Sequence, residues 1–263
     1  MWKAFLEVIH DLSLFATGRE VDEIAPPTTQ KQNLNKLTSS ATRQTPVTHL
    51  YGAAYVITRE EFLLLEPALS IDGRVTVLHY GDQVAVNRLQ GDYAEVVFAG
   101  RQGWVRRDSL SDDPALVFPQ FEPGYVYHSR HEDTIKLRKY LNDETLSGRL
   151  DLPVQPVEHI VYMTKRKKMP FTWPHDRPRT PGQLNALLRG RPGVHTAIEP
   201  RTDAVIESTD PDGLAFMGCV EAVHPDNSIV VSSFGRVTEG EYRSETFTQS
   251  EWKEWRPVFL TFT

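Results

Sequence analysis

The sequence has little cysteine, no long apolar run and no excess of basic residues. Cys219 is the single cysteine among 263 residues, so no intramolecular disulfide can form and a cysteine-rich zinc site is excluded. No segment approaches the ~20 apolar residues that span a bilayer, and the N-terminus lacks the basic start and small-residue cleavage site of a secretory signal. The sequence therefore predicts a soluble protein, cytoplasmic by default.

The charges exclude a second class of partner. The formal net charge is −6, with basic and acidic residues mixed along the chain, which gives no positive surface for nucleic acid. The one basic run, Lys165-Arg166-Lys167-Lys168, is typical of a solvated helix end. The sequence also has no HExxH pair and no glycine-rich phosphate loop. We therefore predict no nucleic acid, no metal and no cofactor.

The N-terminal region predicts a helix followed by a linker. Residues 1–18 carry apolar side chains at helical spacing, namely Trp2, Phe5, Leu6, Ile9, Leu12 and Phe15. Docking or self-association through residues 1–15 explains this face, and weak membrane contact is the alternative, although Glu7 and Asp11 replace the usual basic stripe. Residues 19–49 are rich in Pro, Thr, Ser, Gln and Asn, which is typical of a flexible linker.

Residues 50–112 predict a small antiparallel β unit. Short alternating segments, among them 74–78, 83–86, 93–98 and 103–105, are separated by turn residues such as Gly81-Asp82 and Gly91-Asp92. The order of segments from Val77 to Leu110, closing on Gly103-Trp104-Val105, resembles the bacterial Src-homology-3-like family. That resemblance implies a small barrel that binds peptide or cell-wall glycopeptide without chemistry. The candidate ligand-binding residues of the barrel are Tyr80, Tyr93 and Trp104.

Residues 113–263 predict a domain of the α+β class. Helical patterns cover 132–144 and 157–163, and Thr180-Pro181-Gly182-Gln183 predicts a capping box for a third helix that ends at Gly190. Strand patterns then follow at 194–198, 204–207, 216–223, 228–232 and 257–262. The predicted fold is therefore mixed, with an SH3-like all-β barrel followed by helices packed on an antiparallel sheet.

The segment 218–233 resembles the β-hairpin of the cysteine-histidine-dependent amidohydrolase/peptidase family, and the resemblance extends over about 120–262. It implies a papain-like domain in which a helix-borne cysteine attacks an amide and a hairpin histidine accepts its proton. In this sequence the histidine position falls on Phe216 and the orienting acidic position on Ser233. No cysteine lies near the first helix, where Ser129 and Thr134 are the nearest hydroxyls. The resemblance thus implies a pseudoenzyme with no catalytic residue.

Other reactive side chains have simpler explanations. Cys219 lies in mid-strand, where a buried small hydrophobe is expected rather than a nucleophile. Glu199, Glu207 and Glu221 are expected to be solvated on edge-like strands. The loop 169–179 combines aromatic, proline and arginine residues and either completes the core or forms a ligand platform.

These observations predict a non-catalytic binding or scaffolding protein for a peptide, a protein or peptidoglycan. Trp173, His175 and Phe216 are the candidate ligand-binding residues of its second domain. A cell-wall amidase or peptidase with unconventional residues is the alternative. A structural module that assembles through the N-terminal helix is a third hypothesis.

Overall fold

The computed structural model describes residues 51–68, 72–142, 151–173, 182–209 and 215–263. They belong to a compact unit that extends from Val47 to Thr263. The predicted helix at 1–18 and linker at 19–49 lie outside the described residues, as does His175. Within the described ranges, no helix is long and apolar enough to cross a membrane.

The first part is a seven-stranded sheet of antiparallel pairs. Its strands are Gly52–Val56 (β1), Glu60–Leu64 (β2), Arg74–His79 (β3), Gln83–Gln90 (β4), Tyr93–Phe98 (β5), Arg101–Arg106 (β6) and Leu110–Ser111 (β7). Their order in the sheet is β3-β2-β6-β5-β4-β1-β7. Alternate side chains such as Val84, Val86 and Val96 are buried in one apolar cluster, as the period of two requires. The predicted antiparallel β unit is confirmed, with β1, β2 and the short β7 added to it.

The second part is a six-stranded antiparallel sheet, with three helices before its first strand and one between its last two strands. Its helices are Glu132–Leu141 (α1), Pro156–Arg166 (α2), Leu184–Leu188 (α3) and Gln249–Glu254 (α4). Its strands are Val194–Ala197 (β8), Val205–Thr209 (β9), Ala215–Val223 (β10), Ile229–Phe234 (β11), Tyr242–Phe247 (β12) and Val258–Phe262 (β13). The order is β12-β11-β10-β9-β13-β8. The prediction of a mixed fold with helices on an antiparallel sheet is confirmed.

The two faces of the second sheet pack against different helices. Leu137 of α1, Ile160 of α2 and Leu188 of α3 share one buried cluster with the sheet residues Cys219 and Leu260. The opposite face packs against Trp252 and Trp255 near the end of the chain. This arrangement places α2 directly over β10 and β11.

Helix α2 is well specified at its start. Pro156 occupies the first turn, and the Glu158 side chain accepts a hydrogen bond from the Gln155 backbone N–H at 2.8 Å, which satisfies an otherwise free donor. Glu158 is buried and pairs with Arg138 of α1 at 2.8 Å. The ion pair therefore joins α1 to the first turn of α2.

The first sheet and the helices also share a buried contact. Tyr80 belongs to the apolar cluster that contains Val117 and Tyr140, and its hydroxyl donates to the Leu116 carbonyl at 2.6 Å. Gly81 follows with a φ of +87°, and a Cβ there would overlap the Tyr140 ring. Glycine at this turn is thus required both by the backbone conformation and by the close approach of α1.

Candidate functional site

The predicted hairpin at 218–233 is present as strands β10 and β11. Cys219 pairs with Ser232 and Gly218 with Ser233, and the register shifts between Val220 and Ala222. A shift of this kind marks a β-bulge, which places an extra residue in one strand. The extra residue is Glu221, whose side chain takes part in the polar cluster described next.

A buried hydrogen-bond network, hereafter the Ser232 network, joins α2 to the hairpin. His159 Nε2 lies 2.9 Å from Ser232 Oγ, and Ser232 Oγ donates to Glu221 Oε1 at 2.6 Å. The Tyr242 ring of β12 lies 5.8 Å from the His159 ring. A serine hydroxyl has one hydrogen and two acceptor positions, so the bond to Glu221 uses the only hydrogen of Ser232.

The direction of these bonds determines the histidine tautomer. The Ser232 hydrogen points to the Glu221 carboxylate, so the bond between His159 and Ser232 must be donated by Nε2–H. The Nδ1 atom of His159 then carries the lone pair, and it is buried without a partner among the described residues. Burial, with a smaller contribution from the charge of Lys167, lowers the pKa of His159 to about 3. His159 is therefore neutral at physiological pH.

Lys167 closes the outer end of the Ser232 network. Its Nζ contacts the Asp203 carboxylate and lies 3.6 Å from Glu221 Oε2. Burial opposes the charge of Lys167, but the contacts with Asp203 and Glu221 outweigh it and raise the pKa of the ammonium group. The lysine thus balances the Glu221 carboxylate at the edge of the buried cluster.

Cys219 lies beside this network but is chemically protected. It is 3% exposed and is the cross-strand neighbour of Ser232. Burial, followed by the nearby Glu221 carboxylate, raises the pKa of the Cys219 thiol well above its usual range. Because the thiolate is the reactive form, the expected role as a small buried hydrophobe agrees with the structure.

The Ser232 network differs from a hydrolytic triad in its order. In a triad the imidazole accepts the hydroxyl hydrogen and the carboxylate orients the imidazole. Here the carboxylate accepts the hydroxyl hydrogen and the imidazole donates.

A second imidazole–hydroxyl contact, between His195 Nε2 and Thr263 Oγ1 at 2.9 Å, is exposed at the edge of the sheet. In the described ranges, no three His, Cys, Asp or Glu side chains are grouped to hold a metal.

Phe216 lies on the face of β10 opposite Cys219. It is 2% exposed, its ring meets Trp255 edge-on at 5.3 Å, and it belongs to the cluster that packs against α4. The alternation of a strand puts Met217 and Cys219 on the other face, under α2. The residue at the family's histidine position therefore does not face the helix that carries His159.

The candidate ligand-binding residues of the first sheet differ in accessibility. Tyr80 is buried, and burial raises the pKa of its hydroxyl to about 12. Trp104 is 6% exposed with the Arg88 guanidinium 5.0 Å above its ring, while Tyr93 is half-buried. Tyr80 and Trp104 thus have little free surface, and the ligand-binding role of the three residues stays a prediction.

Trp173 is the described candidate of the aromatic loop. Its Nε1–H donates to Thr164 Oγ1 at 2.9 Å, and its ring lies 5.4 Å from Phe171 and 5.8 Å from Phe262. These contacts favour the expectation that this part of the loop completes the core. The structure does not bring Trp173 and Phe216 into one cluster.

The prediction that Glu207 is solvated on an edge strand is wrong. β9 lies between β10 and β13 in the interior of the sheet, and Glu207 is 6% exposed. Its carboxylate accepts backbone hydrogen bonds from Gly182, Leu184 and Asn185 at 2.9, 2.7 and 2.6 Å. Thr180 and Pro181 of the predicted capping box lie outside the described residues. At the observed start of α3, Gln183 makes no side-chain cap bond, and the Glu207 carboxylate from a distant strand accepts the backbone hydrogen bonds instead.

Sequence reasoning missed His159 and the role of Glu221 and Ser232. The one available signal for this network was His159 itself. A histidine within the apolar run from Val157 to Met163 indicates a buried imidazole, which needs a hydrogen-bond partner. The partner, however, lies 73 residues further along the chain. No local pattern identifies such a pair.

Known proteins resemble this chain only distantly. The sequence matches no family model and no curated protein. Similar solved structures include an N-acetylmuramoyl-L-alanine amidase from Staphylococcus aureus, with 17% identity, a TM-score of 0.35 and coverage of 41% of this chain and 30% of the amidase chain. NlpC2 from Trichomonas vaginalis has 10% identity and a TM-score of 0.26, covering 80% of this chain and 71% of its own.

An NlpC/P60 family protein from Bacillus cereus has 10% identity and a TM-score of 0.26, over 80% of this chain and 63% of its own. The chain thus spans under a third of the amidase and under two thirds of the Bacillus cereus protein. At these TM-scores and identities, the similarities assign neither a family nor an activity to the chain.

Proposed function

We propose that this protein binds a peptide or a cell-wall glycopeptide and does not cleave it. The observation that carries the proposal is the direction of the Ser232 network. The Ser232 hydrogen is donated to Glu221 at 2.6 Å, and neutral His159 donates to the same oxygen. Neither group is then available as a nucleophile or as its base.

The sequence departures support the same proposal. Phe216 and Ser233 occupy the positions where the amidohydrolase/peptidase family implied by the hairpin has its histidine and its orienting acid. The single thiol of the chain is buried and protonated. A protein with this hairpin but with these substitutions retains a scaffold for wall peptides without the catalytic groups.

We further propose that residues 50–112 form a bacterial Src-homology-3-like barrel. The support is the order of its antiparallel strands, together with the closing segment from Gly103 to Leu110. Domains that this segment resembles bind peptide or cell-wall glycopeptide. The barrel therefore accounts for a share of the proposed binding.

A cell-wall amidase or peptidase is the second candidate. One observation favours it: a thiol, an imidazole and a carboxylate, from Cys219, His159 and Glu221, surround Ser232. For this function, Cys219 would have to become exposed and ionised, which burial opposes in the described conformation.

Purified peptidoglycan sacculi test both candidates. The full chain is incubated with sacculi, and co-sedimentation and release of new amino groups are measured on the same samples, with the Cys219→Ala and His159→Ala proteins alongside. Co-sedimentation without new amino groups is the expected result. Amino-group release by the wild type that disappears in either variant establishes the enzyme, and failure to co-sediment counts against cell-wall binding.

A further inference from the structure

Strand β8 presents an open backbone edge. It pairs with β13 on one side and, among the described strands, is the last member of its sheet. The Thr263 N–H donates to the Gly193 carbonyl at 2.9 Å, and the hydrogen-bonded class of an antiparallel pair recurs at every second residue. His195 and Ala197 therefore direct their backbone groups to β13. The N–H and C=O of Thr196 point away from the sheet.

A pocket of about 520 Å³ opens beside this edge. Its lining includes residues from three places. Asn185 and Arg189 lie in α3 and just after it, Thr196, Ile198 and Glu199 lie in β8 and just after it, and Val258 begins β13. Ile198 is 80% exposed, so the pocket carries apolar surface that the fold leaves in contact with water. Burial of such a side chain by a ligand is favourable.

Three polar side chains of the pocket have unused bonding capacity among the described residues. The Asn185 side-chain oxygen is buried and accepts no hydrogen bond from the described residues. Neither Arg189 nor Glu199 takes part in an ion pair within the described ranges. A buried acceptor without a donor has a free-energy cost that a ligand N–H can relieve.

We propose that β8 and this pocket bind an extended peptide, which adds to the sheet as a further antiparallel strand and places one apolar side chain in the pocket. Strand addition to a free edge supplies main-chain hydrogen bonds, while a side-chain pocket supplies selectivity. The antiparallel direction follows the other pairs of this sheet. It brings the amino-terminal end of the peptide beside Glu199, which follows the C-terminal end of β8.

The inference rests on the proposed peptide binding and gives it a location. The Cys219 thiol and the His159 imidazole lie between α2 and the sheet and take no part in it. The ligand expected here is a short peptide with a positive charge at its amino-terminal end, a β-branched apolar residue in the middle and unmodified backbone amides.

A designed peptide pair tests this site. The probe is Lys-Thr-Val-Thr-Val-Thr with a fluorescent dye at its carboxyl end, and its control is the same peptide N-methylated on two consecutive central residues. One of two consecutive amides must face β8, so methylation removes a strand hydrogen bond in either register. Fluorescence anisotropy with the full chain is expected to give at least about tenfold weaker binding for the methylated peptide.

Matched variants identify the surface. Ile198→Ser and Glu199→Lys are each expected to weaken binding of the unmethylated probe by about fivefold or more. Val237→Ser and Glu254→Lys, which change exposed residues elsewhere, are expected to leave it unchanged. Because the four positions are exposed, unfolding is not expected, and circular dichroism checks each protein.

Two results overturn the inference: equal affinity for the two peptides, or equal effects of the pocket variants and their controls. Sacculus co-sedimentation separates this failure from that of the proposed function. Undiminished sacculus binding by Ile198→Ser and Glu199→Lys overturns β8 as the wall-binding site and leaves the proposed function standing. Methylation-sensitive peptide binding without any sacculus binding supports the strand site and overturns the cell-wall function.

Discussion

His159 on α2 donates its Nε2–H to Ser232 on β11 across 2.9 Å, while the Ser232 hydroxyl donates onward to Glu221 at 2.6 Å. The helix and the hairpin are therefore joined by a polar contact inside an apolar layer. These two bonds join three side chains, and His159 Nδ1 has no partner in the described part.

Replacement of Ser232 by alanine is expected to lower the free energy of unfolding by about 1–3 kcal/mol, because the buried Nε2–H donor of His159 loses its acceptor. Urea denaturation measures this change. Ser244→Ala is the matched control, since Ser244 lies directly opposite Ser232 on β12 but is exposed. Equal stability of the two variants would contradict the proposed network.

His159 is expected to make stability depend on acid. The pKa of His159 is about 3 in the folded protein against an ordinary value of 6.5, so only the unfolded chain takes up this proton between these values. The contribution of neutral His159 to the free energy of unfolding is therefore complete above pH 6.5. It is lost as the pH falls towards 3, by up to about 1.4 kcal/mol per pH unit.

His159→Gln retains an N–H donor for Ser232 and removes this titration. Its unfolding free energy is expected to fall less steeply than that of the wild type between pH 6.5 and pH 4, as measured by urea denaturation at several pH values. His128→Gln, at an exposed position, is expected to follow the wild type. Parallel curves for His159→Gln and the wild type would show that His159 is not buried neutral.

Cys219 is expected to be unreactive in the folded protein. Burial raises the pKa of this thiol, and disulfide reagents require an accessible thiolate. A chromogenic disulfide reagent should therefore modify one thiol per chain in guanidinium chloride and none on the same time scale in buffer. Ser244→Cys, on the exposed edge strand, is the positive control and should react at once. Fast reaction of Cys219 in buffer would favour the enzyme.

Phe216→His introduces the histidine that the amidohydrolase/peptidase family, which the hairpin resembles, has at this position. Because Phe216 packs against Trp255 on the face away from α2, the change is expected to cost about 3–4 kcal/mol of stability and to release no amino groups from sacculi. Phe216→Leu, which stays apolar, is expected to cost less in urea denaturation. New amino-group release by Phe216→His would refute the assignment of this face.

Glu207→Gln is expected to loosen α3. The Glu207 carboxylate accepts three backbone hydrogen bonds at the start of this helix. A glutamine side chain retains one acceptor oxygen, but its NH2 group is a donor and would face a backbone N–H without forming a hydrogen bond. A loss of about 2–3 kcal/mol is expected, with faster hydrogen exchange at the Leu184 and Asn185 amides. Glu254→Gln, at an exposed position, is the control and should change neither quantity.

Local patterns predicted most elements. The alternation at 93–98 and 216–223 and the helical spacing at 157–163 reappear as β5, β10 and α2. β12 was not predicted, because Tyr242–Phe247 is mainly polar and half-exposed at the sheet edge. The six-residue helix α4 was missed as well, although its Thr248 and Glu251 form a capping box, because it is too short to show helical periodicity.

The alternation of the strands, the position of the hairpin and the lack of a cysteine at the first helix can all be read from the residues alone. These are properties of neighbouring residues, whose side chains follow the backbone period. Three features emerge only in the folded chain: His159 meets Ser232, Glu207 caps a helix from an interior strand, and β8 is left with an open edge. Each depends on segments distant in the chain that packing brings together, and no local period specifies which segments these are.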